Sequence, residues 1–158
     1  MASRPYQFLA IAALAFWIGG TTFYALVVVP TGTHVLGGIE QGLLTEQVTR
    51  QLNWIGVASL VLLLPSLWRS KSLAASWLLL ATTLAGLFWL HPRVAGYLDH
   101  QNRVVTSEVA FYQWHRVYLV VTAAQWLAGI VQLWGWMMPR TAGAQPRPYD
   151  MRQKNMAC

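Results

Sequence analysis

The stretch YQFLAIAALAFWIGGTTFYALVVV, Tyr6–Val29, decides the fold. It holds no Asp, Glu, Lys or Arg. As an α-helix rising about 1.5 Å per residue it reaches roughly 36 Å, enough to cross a hydrocarbon core of about 30 Å. A lone Arg4 precedes it, as in a secretory leader. The run exceeds a leader's apolar region of roughly 7–15 residues, and no small-residue cleavage site follows, so it reads as a retained span.

Three further runs have the same character: LNWIGVASLVLLLPSLW (Leu52–Trp68), LAASWLLLATTLAGLFWL (Leu73–Leu90) and VYLVVTAAQWLAGIVQLWGWMM (Val117–Met138). No alternation of period two recurs, which argues against a β-barrel. The chain reads as an all-α, antiparallel bundle of four transmembrane helices, expected near residues 6–29, 46–68, 73–90 and 108–138. Ser3 and Pro5 suit the start of the first, and Pro30 is expected to end it. Thr45-Glu46 and Ser107-Glu108 are start signals, with an acid near the positive end of the helix dipole. Pro65 is expected to kink the second helix and free the Val61 carbonyl. Ser72 is expected to cap the third, and Pro92 to stop it near Leu90. Residues 1–139 then form one membrane domain. Residues 140–158, polar and with Pro146 and Pro148, read as a disordered basic tail.

Composition agrees with a membrane class: 56% of residues are hydrophobic and 10% charged, against about a quarter charged in soluble domains. The net charge of +6 is carried in flanks and loops rather than on a helical stripe, so nucleic acid is not an expected partner. The single cysteine, Cys158, excludes an intramolecular disulfide. With both termini inside, seven basic residues (Arg4, Arg69, Lys71, Arg140, Arg147, Arg152, Lys154) are cytoplasmic and four (Arg50, Arg93, Arg103, Arg116) external. The positive-inside rule favours that orientation. Trp54, Trp89 and Trp114 then fall at the outer interface, and Trp68, Trp77, Trp134 and Trp136 at the inner one.

Helices in lipid associate through close packing and hydrogen bonds rather than the hydrophobic effect. Each should carry a small or polar stripe toward its neighbours. The expected stripes are Ala12, Ala15, Gly19 and Thr22 on the first helix, and Asn53, Gly56 and Leu60 on the second. The third has Ser72, Ser76, Leu79, Thr83 and Gly86, and the fourth His115, Tyr118, Thr122, Gln125, Gly129 and Gln132.

Signals for chemistry are few. There is no phosphate-binding loop, dinucleotide fingerprint or HExxH motif. No ionisable carboxylate, Lys or Arg falls at mid-membrane, which disfavours ion-coupled transport. His34, His91, His100 and His115 all fall on the outer side. His91 and His115 sit at the outer ends of joined helices, where two imidazoles could hold copper or a haem b iron. Tyr24, Asn53 and Tyr118 share that level, and the expectation is that His115 points inward among them as the floor of an outward-facing pocket. Arg93 and Arg116 are candidates to hold a lipid phosphate or a carboxylate. The leading reading is a non-enzymatic membrane protein, an accessory subunit or small-ligand binder with an outward-facing polar cluster. The alternative is a haem- or copper-binding redox protein using His91 and His115. Partners are the lipid bilayer and either another membrane protein or a second copy.

The stretch WIGGTTFYALVVVP (Trp17–Pro30), the LHPR turn (Leu90–Arg93) and the FYxWHRVYL opening of the last helix (Phe111–Leu119) resemble a group of uncharacterised bacterial four-helix membrane proteins. That group is similar to the domains around the copper-resistance D protein. The resemblance spans roughly residues 6–138 and implies a bacterial inner (cytoplasmic) membrane location. It also implies copper handling, although the dense His and Met set of copper-resistance D proteins is missing.

Overall fold

The computed structural model describes residues 3–99 and 101–138. The elements are α1 (Arg4–Phe23), a π-helical turn (Tyr24–Val28), α2 (Val29–Leu36), α3 (Gly38–Leu62), α4 (Ser66–Arg69), α5 (Lys71–Ala95), a two-residue antiparallel ladder of β1 (Leu98–Asp99) with β2 (Val104–Val105), and α6 (Glu108–Met137). They compose four helices long and apolar enough to cross a membrane: Arg4–Leu36, Gly38–Arg69, Lys71–Ala95 and Glu108–Met137. The contacts close a ring: α1 packs on α3, α3 on α5, α5 on α6 and α6 back on α1. The expected all-α four-helix bundle is therefore the fold. His100 and the tail 140–158, with Cys158, lie outside the described residues.

The prolines act differently from expectation. Pro30 does not end the first helix. The chain widens into a π turn just before it, and the Val29 N–H bonds the Tyr24 carbonyl five residues back. Pro30 then falls in the first turn of α2, where a missing N–H costs little. Helical structure continues to Leu36 and reverses at Gly37, whose φ of 94° is natural only for glycine. The second helix therefore begins at Gly38, eight residues before the expected start. At Pro65 it breaks: the Leu63 N–H is shared between the Ser59 and Leu60 carbonyls, and Leu64, Ser66, Leu67 and Trp68 bond three residues back instead of four. The Val61 carbonyl is not left free, since Leu64 N–H meets it at 3.3 Å. The Leu62 carbonyl accepts the Tyr6 hydroxyl at 2.6 Å, and the Leu60 carbonyl accepts Trp77 Nε1–H at 3.0 Å. Side chains from two other helices thus satisfy backbone that the break exposes, as burial in a membrane requires.

Ser70, not Ser72, caps α5, accepting from the Leu73 N–H at 3.2 Å. That helix runs through Pro92 to Ala95 rather than stopping at Leu90. One proline removes one ladder bond and strains the turn behind it. Here α5 makes the most extensive helix contact of the bundle, along α6, and that packing holds the last turn. The α6 boundaries fall within one residue of expectation.

Burial sorts the stripes. On α6 Gln125, Gly129 and Gln132 are buried and His115, Tyr118 and Thr122 half-buried, as expected. On α3 Asn53, Gly56 and Leu60 are buried. On α5 Ser76 is buried, but Leu79 faces outward and Leu80 takes its place. Of the α1 stripe only Thr22 faces a neighbour, accepting from Trp126 Nε1–H of α6 at 2.8 Å; Ala12, Ala15 and Gly19 are exposed, and Ala10, Leu14 and Trp17 face the core. The close approach of α1 and α3 uses a large residue on α1 and a small one on α3. Trp17 lies over Gly56, where a Cβ would come within 2.5 Å of the indole. At the Arg69 end, Gln132 spans Ser76 and Ser66, and Trp136 Nε1–H donates to Ser66 at 2.8 Å. This buried network ties the Pro65 break to α5 and α6.

Candidate functional site

The first helix spans 33 residues, about 50 Å at 1.5 Å per residue, well beyond a hydrocarbon core of about 30 Å. The excess is α2, and the start of α3 is the matching excess of the second helix, 32 residues long. Together with the end of α5 and the start of α6 they enclose a cavity of about 340 Å³. Its lining runs from Thr21 and Thr122 at the deep end to Thr33 and Gly38 at the shallow end. All four membrane-spanning helices contribute to it.

The wall from α3 is built on Gln41, Thr45 and Thr49, one helical turn apart. Gln41 is 2% exposed, and its Nε2 donates to the Tyr24 hydroxyl at 3.3 Å and to Thr45 Oγ1 at 3.2 Å. The Tyr24 hydroxyl donates to Thr45 Oγ1 at 2.9 Å. Gln41 Oε1 is buried without a hydrogen-bond partner. It lies against Gly32, where a Cβ would overlap it, so glycine lets the amide reach the first helix. The π turn places Tyr24 in this triad, and Tyr24 is buried.

The threonines do not offer their hydroxyl protons to the cavity. Thr21, Thr33, Thr45, Thr49 and Thr122 each donate to the carbonyl four residues back in their own helix, at 2.7–2.9 Å. Tyr118 lies within hydrogen-bonding reach of Asn53 and Thr49. Methyl groups, Leu52, Val94 and Leu98, and aromatic rings therefore dominate the surface. The polar side chains of this wall, Tyr24, Gln41 and Thr45 among them, largely bond one another or their own backbone.

Of the expected site residues, Tyr24, His91, His115 and Tyr118 line the cavity. Asn53 is buried beneath it, 5% exposed. His91 Nε2 lies 3.0 Å from the Glu46 carbonyl. A carbonyl only accepts, so Nε2 carries the proton and Nδ1 the lone pair. The His115 ring stacks on Phe111, centroids 5.6 Å apart and planes 9° apart. Among the described residues it has no hydrogen-bond partner. Arg93 and Arg116 do not line the cavity. The Arg93 guanidinium lies 3.3 Å from the Trp89 ring centroid and 5.9 Å from that of Trp114, and Arg116 is exposed. His34 is exposed as well.

Sequence reasoning missed Gln41 because it began the second helix at Glu46, and it missed Thr45 and Thr49 as wall residues because it read Thr45 only as a start signal and began the stripe at Asn53. The signal was present: the stripe Asn53, Gly56, Leu60 extends upstream at helical spacing through Thr49, Thr45 and Gln41. The ladder after α5 was missed too. Its turn is held by Asp99, whose carboxylate accepts from the backbone N–H groups of Gln101 and Asn102 and from Asn102 Nδ2. Arg103, at φ 53°, pairs with Glu40 of α3 at 3.7 Å.

These features define a multi-pass membrane protein, a four-helix bundle with an apolar-walled cavity at one end. Residues 12–103 match the model of the DUF4149 family, a domain of unknown function. The match covers more than half of the chain, which belongs to that family. It takes in most of the first membrane-spanning helix, the second and third, and β1, while β2 and α6 lie beyond it. No curated protein and no solved structure matches the chain.

Proposed function

We propose that this chain is a non-catalytic membrane protein that binds a small ligand in the cavity formed by α2, α3, α5 and α6. One observation carries the reading. The cavity of about 340 Å³ falls within the range of about 300–1,000 Å³ of small-molecule sites, and His115 faces it with its hydrogen-bonding positions open. Binding is favoured over catalysis because all five lining threonines are committed to helix carbonyls, and neither Ser, Cys nor Lys lines the cavity. The protein belongs in a bacterial inner membrane, its termini and the segment 140–158 on the cytoplasmic side and the cavity outside. A reporter fused after Cys158 is expected to behave as cytoplasmic, and one inserted in the 96–107 loop as external. A C-terminal fusion active only outside would reverse the orientation.

Copper or haem is the second reading, motivated by two imidazoles on one cavity and by the likeness to copper-resistance D domains. The donor set fits it poorly. Nε2 of His91 is turned to the Glu46 carbonyl, and no group of three or more His, Cys, Asp or Glu residues that could hold a metal ion is present among the described residues.

The test is solvent extraction of the purified protein followed by mass spectrometry, with an absorption spectrum and metal analysis of the same sample. A neutral small molecule at near-stoichiometric level is expected, and Ala95→Trp, which fills the cavity, should lose it. A Soret band or stoichiometric copper would replace this reading with the second. A sample free of any retained molecule, identical to the filled variant, would remove it.

A further inference from the structure

The chemistry of the cavity wall restricts what it can hold. No Lys or Arg lines it and Glu46 does, so an anionic head group would enter a low-dielectric site without a counter-charge and beside an acid, at high cost. The threonines show methyl groups. Six rings face the space: Tyr24, Phe111, Tyr112, Tyr118 and the imidazoles of His91 and His115. Aromatic walls favour a flat ring, stacked or edge-on, over a flexible alkyl chain. The deep end at Thr122 lies about 22 Å along α6 from Met137 and the shallow end at Thr33 about 43 Å along the first helix from Arg4, so the cavity straddles the outer edge of a core of about 30 Å. A compound held there keeps a ring among the helix ends and an apolar tail within reach of lipid.

Resting on the small-ligand reading above, we infer that the cavity takes the head ring of a neutral isoprenoid quinone, one ring carbonyl accepting a hydrogen bond from the His115 imidazole. Three features of the site agree with the three parts of that molecule. Walls that carry no cation, with the Glu46 carboxyl among their residues, disfavour an anionic head, and the aromatic rings match the plane of a neutral one. The single open imidazole matches a carbonyl acceptor. Phe111 stacks parallel to the His115 ring, which favours one ring plane before the ligand arrives and lowers the cost of binding. The inference concerns binding alone.

The experiment is equilibrium titration of the full-length, detergent-solubilised protein with decylubiquinone, with its quinol, and with decanoate, by calorimetry at fixed detergent. Saturable binding of decylubiquinone is expected, with none for decanoate. His115→Phe keeps the stack on Phe111 and removes the donor, and should weaken binding about tenfold or more, the equivalent of about 1.4 kcal/mol. His115→Gln restores a donor and should recover part of the loss. Ala95→Phe fills the cavity from the α5 wall with His115 intact and should abolish binding, which keeps the test open if the His115 variants fail to fold. Equal affinity in His115→Phe, or saturable decanoate binding as tight as that of the quinone, would overturn the inference. Absence of quinone binding in a protein that retains another neutral molecule on extraction would overturn the inference and leave the small-ligand reading standing.

Discussion

Replacing Gly129 by leucine is expected to destabilise the bundle by about 3 kcal/mol or more, the upper range for overpacking a filled core. A Cβ at that position would lie 2.7 Å from Ile18 Cδ1 and 3.0 Å from Ile18 Cγ1, with Leu80 Cδ2 next at 3.9 Å. Leucine adds three more carbons to the same space. Ile18 and Leu80 stand on the first and third membrane-spanning helices, so α6 cannot shift away from one without losing the other. Leu127→Ala, two residues away, is the control: Leu127 is 58% exposed, and its loss should change stability by about 0.5 kcal/mol or less. Thermal denaturation of both variants in one detergent compares them. Equal small effects would show that α6 does not present Gly129 to its neighbours.

Gly56→Ala should cost about 1–3 kcal/mol from a single methyl group, again by overpacking. The added carbon would sit 2.5 Å from Trp17 Cζ2 and 2.6 Å from Cε2. The obstacle is a rigid indole that is 3% exposed, and it cannot bend aside as a flexible chain end would. Trp17→Phe removes one of the two fused rings. The double variant Trp17→Phe/Gly56→Ala should therefore be less unstable than the sum of its single variants. Strict additivity, measured as a double-mutant cycle of unfolding free energies, would place the two residues out of contact.

Much of the fold was legible in the sequence because lipid imposes a simple rule. An uncharged apolar run long enough to cross the bilayer has no alternative to helix, and Leu73–Leu90 could be read on that ground alone. The interior of α6 was legible for a related reason, since Gln125 and Gln132 are costly against acyl chains and had to turn inward. The α1 face was not. Ala12, Ala15 and Gly19 cost little wherever they point, and the packing used Trp17, whose size fits over Gly56. Proline misled twice, at Pro30 and Pro92. Its penalty is a local one of about 3 kcal/mol, and widened winding at one site and extensive packing at the other outweigh it. The candidate site was legible in its residues on the later helices, His91, His115 and Tyr118. The Gln41 wall was hidden, because it lies outside the apolar run that defined the second helix.

The π turn at Tyr24–Val28 also sets a phase. One surplus residue in a helix of about 3.6 residues per turn rotates everything downstream by about 100°. Deleting one residue there would leave a regular helix that still crosses the membrane, yet Gly32 would swing away from Gln41 and the wall of the cavity would open. The turn acts as an angular offset between a membrane anchor and a docking wall carried on one rod, so the two can be aligned independently. Insertions or deletions of a single residue between Tyr24 and Val28 therefore belong among the changes that alter the cavity without altering the span.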